Sequence, residues 1–150
     1  VTRRTTTALV LALALGGTLA TSGCGSSEPS VAVSGGPTAS AAPAAGSALG
    51  AADFAAALHR PGTTIVDVRT PQEFAQGHLA GAVNIDVSSP DFAARLSALD
   101  PGAPYAVYCH SGNRSGAAVA SMAQLGFTGA YHLAGGIGAW QEAGGEVVTG

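Results

Sequence analysis

The chain has 150 residues, enough for one domain with a short appended segment. It contains no lysine, and six arginines stand against nine acidic residues for a net charge of -3, which falls to -5 once Arg3 and Arg4 are discounted. Such a balance excludes an electrostatic footprint for nucleic acid.

Composition divides the chain near residue 50. Before it there is no aromatic residue; after it come all the Phe, Tyr, Trp and His. Arg3 and Arg4 form a basic start, and Ala8 to Leu15 an apolar run that Gly16-Gly17 interrupts, so residues 1–23 read as an export signal rather than a membrane-spanning helix. The following Leu19-Ala20-Thr21-Ser22-Gly23-Cys24 resembles a bacterial lipoprotein signal, with Cys24 as the acylated residue. Thr21 departs from it, standing where a large aliphatic residue is usual. This resemblance implies an extracytoplasmic protein held to the cell membrane by a lipid anchor only; the other reading is secretion with Cys24 left free.

Residues 24–50 are mostly Ala, Ser, Gly and Pro with the single charge Glu28, and cannot bury enough apolar area to offset the entropy of ordering. They predict a flexible tether with a span on the order of 25 to 30 Å. Residues 51–150 supply a domain of ordinary size.

Within the domain, Phe54, Ala57 and Leu58 fall at helical spacing before Pro61-Gly62. Thr64 to Val68 is a β-branched run, a buried strand. Thr70-Pro71-Gln72-Glu73 has the form of a capped helix start, with Thr as N-cap, Pro at the first position and Glu completing a capping box. Ala82 to Ile85 reads as a second strand. Ser89-Pro90 repeats the cap-then-proline signal ahead of an amphipathic helix carrying Phe92, Leu96 and Leu99, closed by Pro101-Gly102. Tyr105 to Tyr108 is a third strand, Ser115 to Leu125 a helix, and Ala130 to Leu133 a fourth strand; Gly135-Gly136 then turns the chain into a last helix bearing Trp140. Strands separated by helices predict an α/β fold, a central parallel sheet with helices on both faces. Ligands of such sheets bind beyond the carboxyl ends of the strands, where Cys109 falls.

Cys109 is the one cysteine besides Cys24, so it has no second thiol of the mature domain to pair with. A thiol is nucleophilic as thiolate, and its pKa falls when backbone N–H groups and a helix N-terminus face it. The loop His110-Ser111-Gly112-Asn113-Arg114-Ser115 between strand and helix can curl its amides into an anion nest, Gly112 allowing the positive φ that the curl requires. Arg114 adds positive charge at the rim, or else forms a salt bridge with Glu73 or Asp67. Ser111 and Ser115 can donate hydroxyl hydrogen bonds to the sulfur, and Ser115 can equally cap the helix. His110 is either a substrate contact or solvent-exposed.

These residues carry a wider resemblance. Val66-Asp67-Val68-Arg69 with Pro71 and Glu73-Phe74, Gly77-His78-Leu79-Ala80-Gly81-Ala82 with Asn84-Ile85, the CHSGNRS loop, Gly126-Phe127, and Leu133-Ala134-Gly135-Gly136-Ile137 with Ala139-Trp140 resemble, in order, a single-domain rhodanese. The resemblance implies a rhodanese-like domain and a sulfurtransferase. In that chemistry Cys109 takes a sulfane sulfur from thiosulfate or a persulfide and passes it on to a thiophilic acceptor: a small anion, a thiol or a protein. It implies no metal and no organic cofactor. It also implies that Asp67 and Arg69 shape the pocket wall and that His78 is a hydrogen-bonded packing residue. Related phosphatase loops hold five residues between Cys and Arg, and here there are four, a cradle sized for sulfur rather than phosphate. A reading from a different class is a binding or redox-sensing module that keeps the fold and the thiol without turnover. His59 and His132 stand outside any motif and read as surface or satisfied core residues, and Trp140 as the seal at the base of the domain.

Overall fold

The computed structural model describes residues 41–150. The export segment, Cys24 and the first part of the tether lie outside the described residues.

Five parallel strands form one sheet in the order β1-β5-β4-β2-β3: β1 (Ala48–Leu49), β2 (Thr64–Asp67), β3 (Val83–Asn84), β4 (Pro104–Tyr108) and β5 (Gly129–Leu133). Five helices alternate with them: α1 (Ala51–Leu58), α2 (Pro71–Gln76), α3 (Phe92–Ser97), α4 (Asn113–Gln124) and α5 (Gly136–Glu142). None of the described helices is long and apolar enough to cross a membrane.

The period-two alternation of strand side chains divides the core. From β4, Tyr105, Val107 and Cys109 join Val66, Val68, Leu96 of α3 and Val119 and Met122 of α4 on one face. Ala106 and Tyr108 point the other way, with Tyr131, Leu133, Phe54 of α1 and Ile137 and Trp140 of α5. Each face is therefore covered by helices, and β4 runs buried along its length.

Two expectations are corrected. The tether was expected to run to residue 50, but Ala48 and Leu49 pair with His132 and Leu133 as an edge strand, and the Gly46 amide donates to the Ala130 carbonyl at 2.8 Å. The sheet thus begins inside that segment, recruited by backbone pairing that Ala and Gly do not advertise. Ser89 was expected to cap the third helix; instead its hydroxyl bonds the Asp91 carboxylate and its carbonyl accepts from the Phe92 amide, so a turn precedes α3 and the helix is only Phe92–Ser97. The capping box of α2 forms as predicted: Thr70 Oγ1 accepts from the Glu73 amide at 3.2 Å, and Glu73 Oε2 accepts from the Thr70 amide at 3.1 Å.

Candidate active site

Cys109 lies at the carboxyl end of the central strand β4, just before the first turn of α4. Its residue is 1% exposed, at the floor of the loop rather than on its rim. Gly112 adopts φ +93°, the left-handed conformation expected of it, and turns its amide onto Sγ at 3.1 Å. A side chain at Gly112 would meet the Gly135 nitrogen at 3.0 Å as well, so both conformation and space call for glycine.

Burial pushes the Cys109 thiol up, but hydrogen bonds from the Ser115 hydroxyl and from the amides of Ser115, Ser111 and Gly112 outweigh it and hold the pKa below that of an ordinary cysteine. The anion is thus stabilised by backbone and hydroxyl dipoles in a buried setting. Such a nest serves a thiolate and a persulfide alike.

The loop is braced from the far side of the sheet end. The Ile137 amide donates to the Cys109 carbonyl at 2.8 Å, and the Gly138 amide to the His110 carbonyl at 3.4 Å. Between them Gly136, at φ +62°, presses so closely that a Cβ there would stand 2.5 Å from the carbonyl oxygens of Cys109 and His110. The Gly135-Gly136 pair is therefore part of the site's architecture and more than a turn.

The remaining predicted residues separate. Ser115 is fully buried beside the sulfur, while His110, Ser111 and Asn113 have exposed side chains, and Asn113 opens α4. His110 lines a cleft of about 310 Å³ with Arg69, Glu73, Gln76, Ile137 and Gln141. Arg114 was expected either to hold a positive charge at the rim or to pair; it pairs, bidentate, with Glu73 on α2, at 2.7 and 2.8 Å. That hydrogen-bonded partner holds the Glu73 carboxyl down at about 2 against the opposition of partial burial, with the Thr70 amide and hydroxyl assisting. The rim charge is consequently matched by a carboxylate.

Asp67 and Arg69 form a second pair, buried beneath the rim. Arg69 Nε donates to both Asp67 oxygens at 3.0 Å, Nη2 donates to Asp67 and to the Gly77 carbonyl, and the guanidinium lies over the Tyr108 ring at 5.6 Å. Burial opposes the Arg69 charge, but the Asp67 hydrogen bonds prevail and raise its pKa. Of the two, Arg69 lines the cleft and Asp67 lies buried behind it. The Tyr108 hydroxyl in turn accepts from the Leu79 amide at 3.1 Å, tying the segment after α2 to β4.

With this geometry, comparison with known proteins is decisive. The family model described as rhodanese-like domain matches residues 50–143. The chain belongs to the rhodanese-like domain family. It is 44% identical over 85 residues to the thiosulfate sulfurtransferase GlpE of Pseudomonas aeruginosa, covering 56% of this chain and 74% of that protein. Over 86 residues it is 40% identical to the GlpE of Stutzerimonas stutzeri, covering 57% and 76%. Among solved structures, a rhodanese-related protein from Thermoplasma volcanium superposes with a TM-score of 0.62 at 36% identity, over 69% of this chain and 99% of that one. The rhodanese-like domain of the Alr3790 protein from Anabaena sp. gives 0.54 at 30% identity, over 59% and 89%.

Two other predicted histidines resolve differently. His78 packs as the rhodanese resemblance implied, its Nδ1 2.9 Å from the Phe74 carbonyl and its ring stacked on Phe74 at 3.7 Å. His132, expected to be a surface or satisfied core residue, reaches the site: its Nδ1 lies 3.3 Å from Ser115 Oγ. No local pattern pointed to it, because the contact joins the end of β5 to α4 across the sheet. Trp140 is buried against Phe54 and donates Nε1–H to the Glu146 carbonyl at 2.9 Å, closing the C-terminal tail over α5.

Proposed function

We propose that this rhodanese-like protein is a sulfurtransferase that carries sulfane sulfur as a persulfide on Cys109. One observation carries the reading: the Cys109 sulfur lies within a ring of backbone amides, with Gly112 N at 3.1 Å, in a setting that favours its anion. The sulfurtransferase names of its relatives support the same chemistry.

The two steps balance without a cofactor. The Cys109 thiolate attacks the outer sulfur of thiosulfate or of an organic persulfide; the new S–S bond forms as the old one breaks, and sulfite or a thiolate leaves with the electron pair. A thiophilic acceptor such as cyanide then attacks the outer sulfur of the Cys109 persulfide, and the thiolate departs with its electrons. The covalent intermediate divides one difficult transfer into two easier ones. Through both steps the amides of Ser111, Gly112 and Ser115 face an anionic sulfur and need no rearrangement.

Cys109→Ser should abolish cyanide-dependent thiocyanate formation from thiosulfate while leaving the thermal transition nearly unchanged. Mass spectrometry of the Cys109 peptide after donor treatment should show one added sulfur that cyanide removes. A wild-type protein that accumulates no persulfide with thiosulfate, polysulfide or glutathione persulfide overturns the proposal, and oxygen adducts in its place would favour a redox-sensing module.

We also propose that Cys24 is acylated and that the domain works outside the cytoplasm on a membrane tether. The support is the Arg3-Arg4 start, the apolar run and the small residues before Cys24. Metabolic labelling with a fatty acid, lost in Cys24→Ser, tests it.

A further inference from the structure

The hydroxyl of Ser115 has one proton and three neighbours that could take it. The Gly112 carbonyl lies at 3.0 Å, His132 Nδ1 at 3.3 Å, and the Cys109 sulfur is the third. The Gly112 carbonyl already accepts the Gly116 amide at 2.9 Å, so it stays satisfied if the hydroxyl turns away. In the structure the hydroxyl points at the Gly112 carbonyl, so its direction depends on what else occupies Oγ, and the side chain placed there is His132. An unprotonated Nδ1 competes for it, whereas an Nδ1–H fills the hydroxyl's acceptor site and leaves the proton to the sulfur.

The surroundings of His132 fit a fixed donor. Its strand position puts it opposite Val107 on β4 and Ala48 on β1, neither of them ionisable. Its ring lies along the first turn of α4, where a Cβ on Gly116 would stand 3.4 Å from Cε1. The charged group that the Cys109 sulfur influences is Arg114, itself held by Glu73, and Asp67 is locked to Arg69. None of these reaches Ser115 by a hydrogen bond in the structure, so the histidine acts on the sulfur through the hydroxyl.

We propose that His132 is a positioning residue: its Nδ1–H donates to Ser115 Oγ and thereby aims the Ser115 proton at the anionic sulfur of Cys109. Half-burial holds the His132 pKa below its ordinary value, so the donor at neutral pH is the neutral Nδ1–H tautomer. The inference rests on Cys109 being the sulfur carrier, but the thiol can be titrated without any sulfur donor.

The test is the pH profile of Cys109 alkylation by iodoacetamide in the folded domain. His132→Leu should move its midpoint upward by about one pH unit, a roughly ten-fold loss of thiolate below the midpoint. His132→Asn, whose amide N–H can occupy the Nδ1 position, should restore most of the wild-type midpoint, and His132→Gln, whose amide reaches the Nε2 position, should not. Ser115→Ala should shift the midpoint as His132→Leu does, and the double variant should shift no further. Unchanged midpoints in both His132→Leu and His132→Gln, or a double variant in which the two shifts add, overturn the proposal. If His132→Leu fails to fold, the Asn and Gln pair decides. Failure to form a persulfide would reject the sulfurtransferase reading and leave these midpoints as they are.

Discussion

Two arginine-carboxylate pairs support the Cys109 loop, and they differ in burial more than in geometry. Arg69 and Asp67 are 5% and 0% exposed in their side chains; Arg114 and Glu73 are 34% and 31% exposed. Both are short and multidentate. Water nevertheless makes them different devices. The buried pair must stay complete, because either partner alone would be a charge without solvent or counterion. The outer pair fastens α2 to the start of α4, and each member could find water if released.

The largest effect should come from breaking the buried pair on one side. Arg69→Ala strands the Asp67 carboxylate, removes the donor to the Gly77 carbonyl and opens the space over Tyr108. A loss of about 3 to 5 kcal/mol in unfolding free energy is expected, read by chemical denaturation. Asp67→Leu combined with Arg69→Met should recover much of it, since replacing both charges removes the unpaired one. A double variant as unstable as Arg69→Ala would show that the wall depends on the ion pair itself and not on avoiding a stranded charge.

The outer pair should respond far less. Arg114→Ala should change stability by no more than about 1 kcal/mol, because Glu73 remains solvated and keeps its capping-box contacts with Thr70. Its effect on the alkylation profile of Cys109 should be a modest upward shift, since the Ser115 hydroxyl and the loop amides, and not the guanidinium, stabilise the anion. A collapse of thiol reactivity in Arg114→Ala would place the rim charge back at the centre of the chemistry.

The same contrast between local and assembled features governs what the sequence discloses. The capping box at Thr70 and Glu73 and the positive-φ glycine of the loop are each written within a few consecutive residues, and each forms as predicted. The four-residue loop before Arg114 also fixes where the thiol stands. Hidden from that reading are features that exist only once distant segments meet. Ala48 and Leu49 become a strand because β5 offers them an edge, not because of their own propensity. Gly136 matters because α5 is pressed onto the Cys109 backbone, and His132 because β5 delivers it beneath α4. The choice of partner for Arg114 is of the same kind: both candidates were carboxylates near the rim, but burial had already committed Asp67 to Arg69.

The smallest predicted effect isolates the charge of the outer pair from its other contacts. Glu73→Gln preserves a capping-box residue at that position of α2 and removes the carboxylate. In the folded protein the Glu73 carboxyl titrates at about 2, below the ordinary 4.5, because Arg114 favours its anion. A depressed acid stabilises the fold where it is ionised in both states. Its contribution is therefore fully present above 4.5 and disappears as pH falls towards about 2. Wild-type should be slightly more stable than Glu73→Gln at neutral pH, the gap closing through that window and shrinking with added salt because the pair is partly exposed. Denaturation curves across the acid range measure it. A gap of constant size from neutral pH down to the folded-state titration would mean that Glu73 contributes through packing and capping alone, and the outer pair would then resemble the buried one only in its geometry.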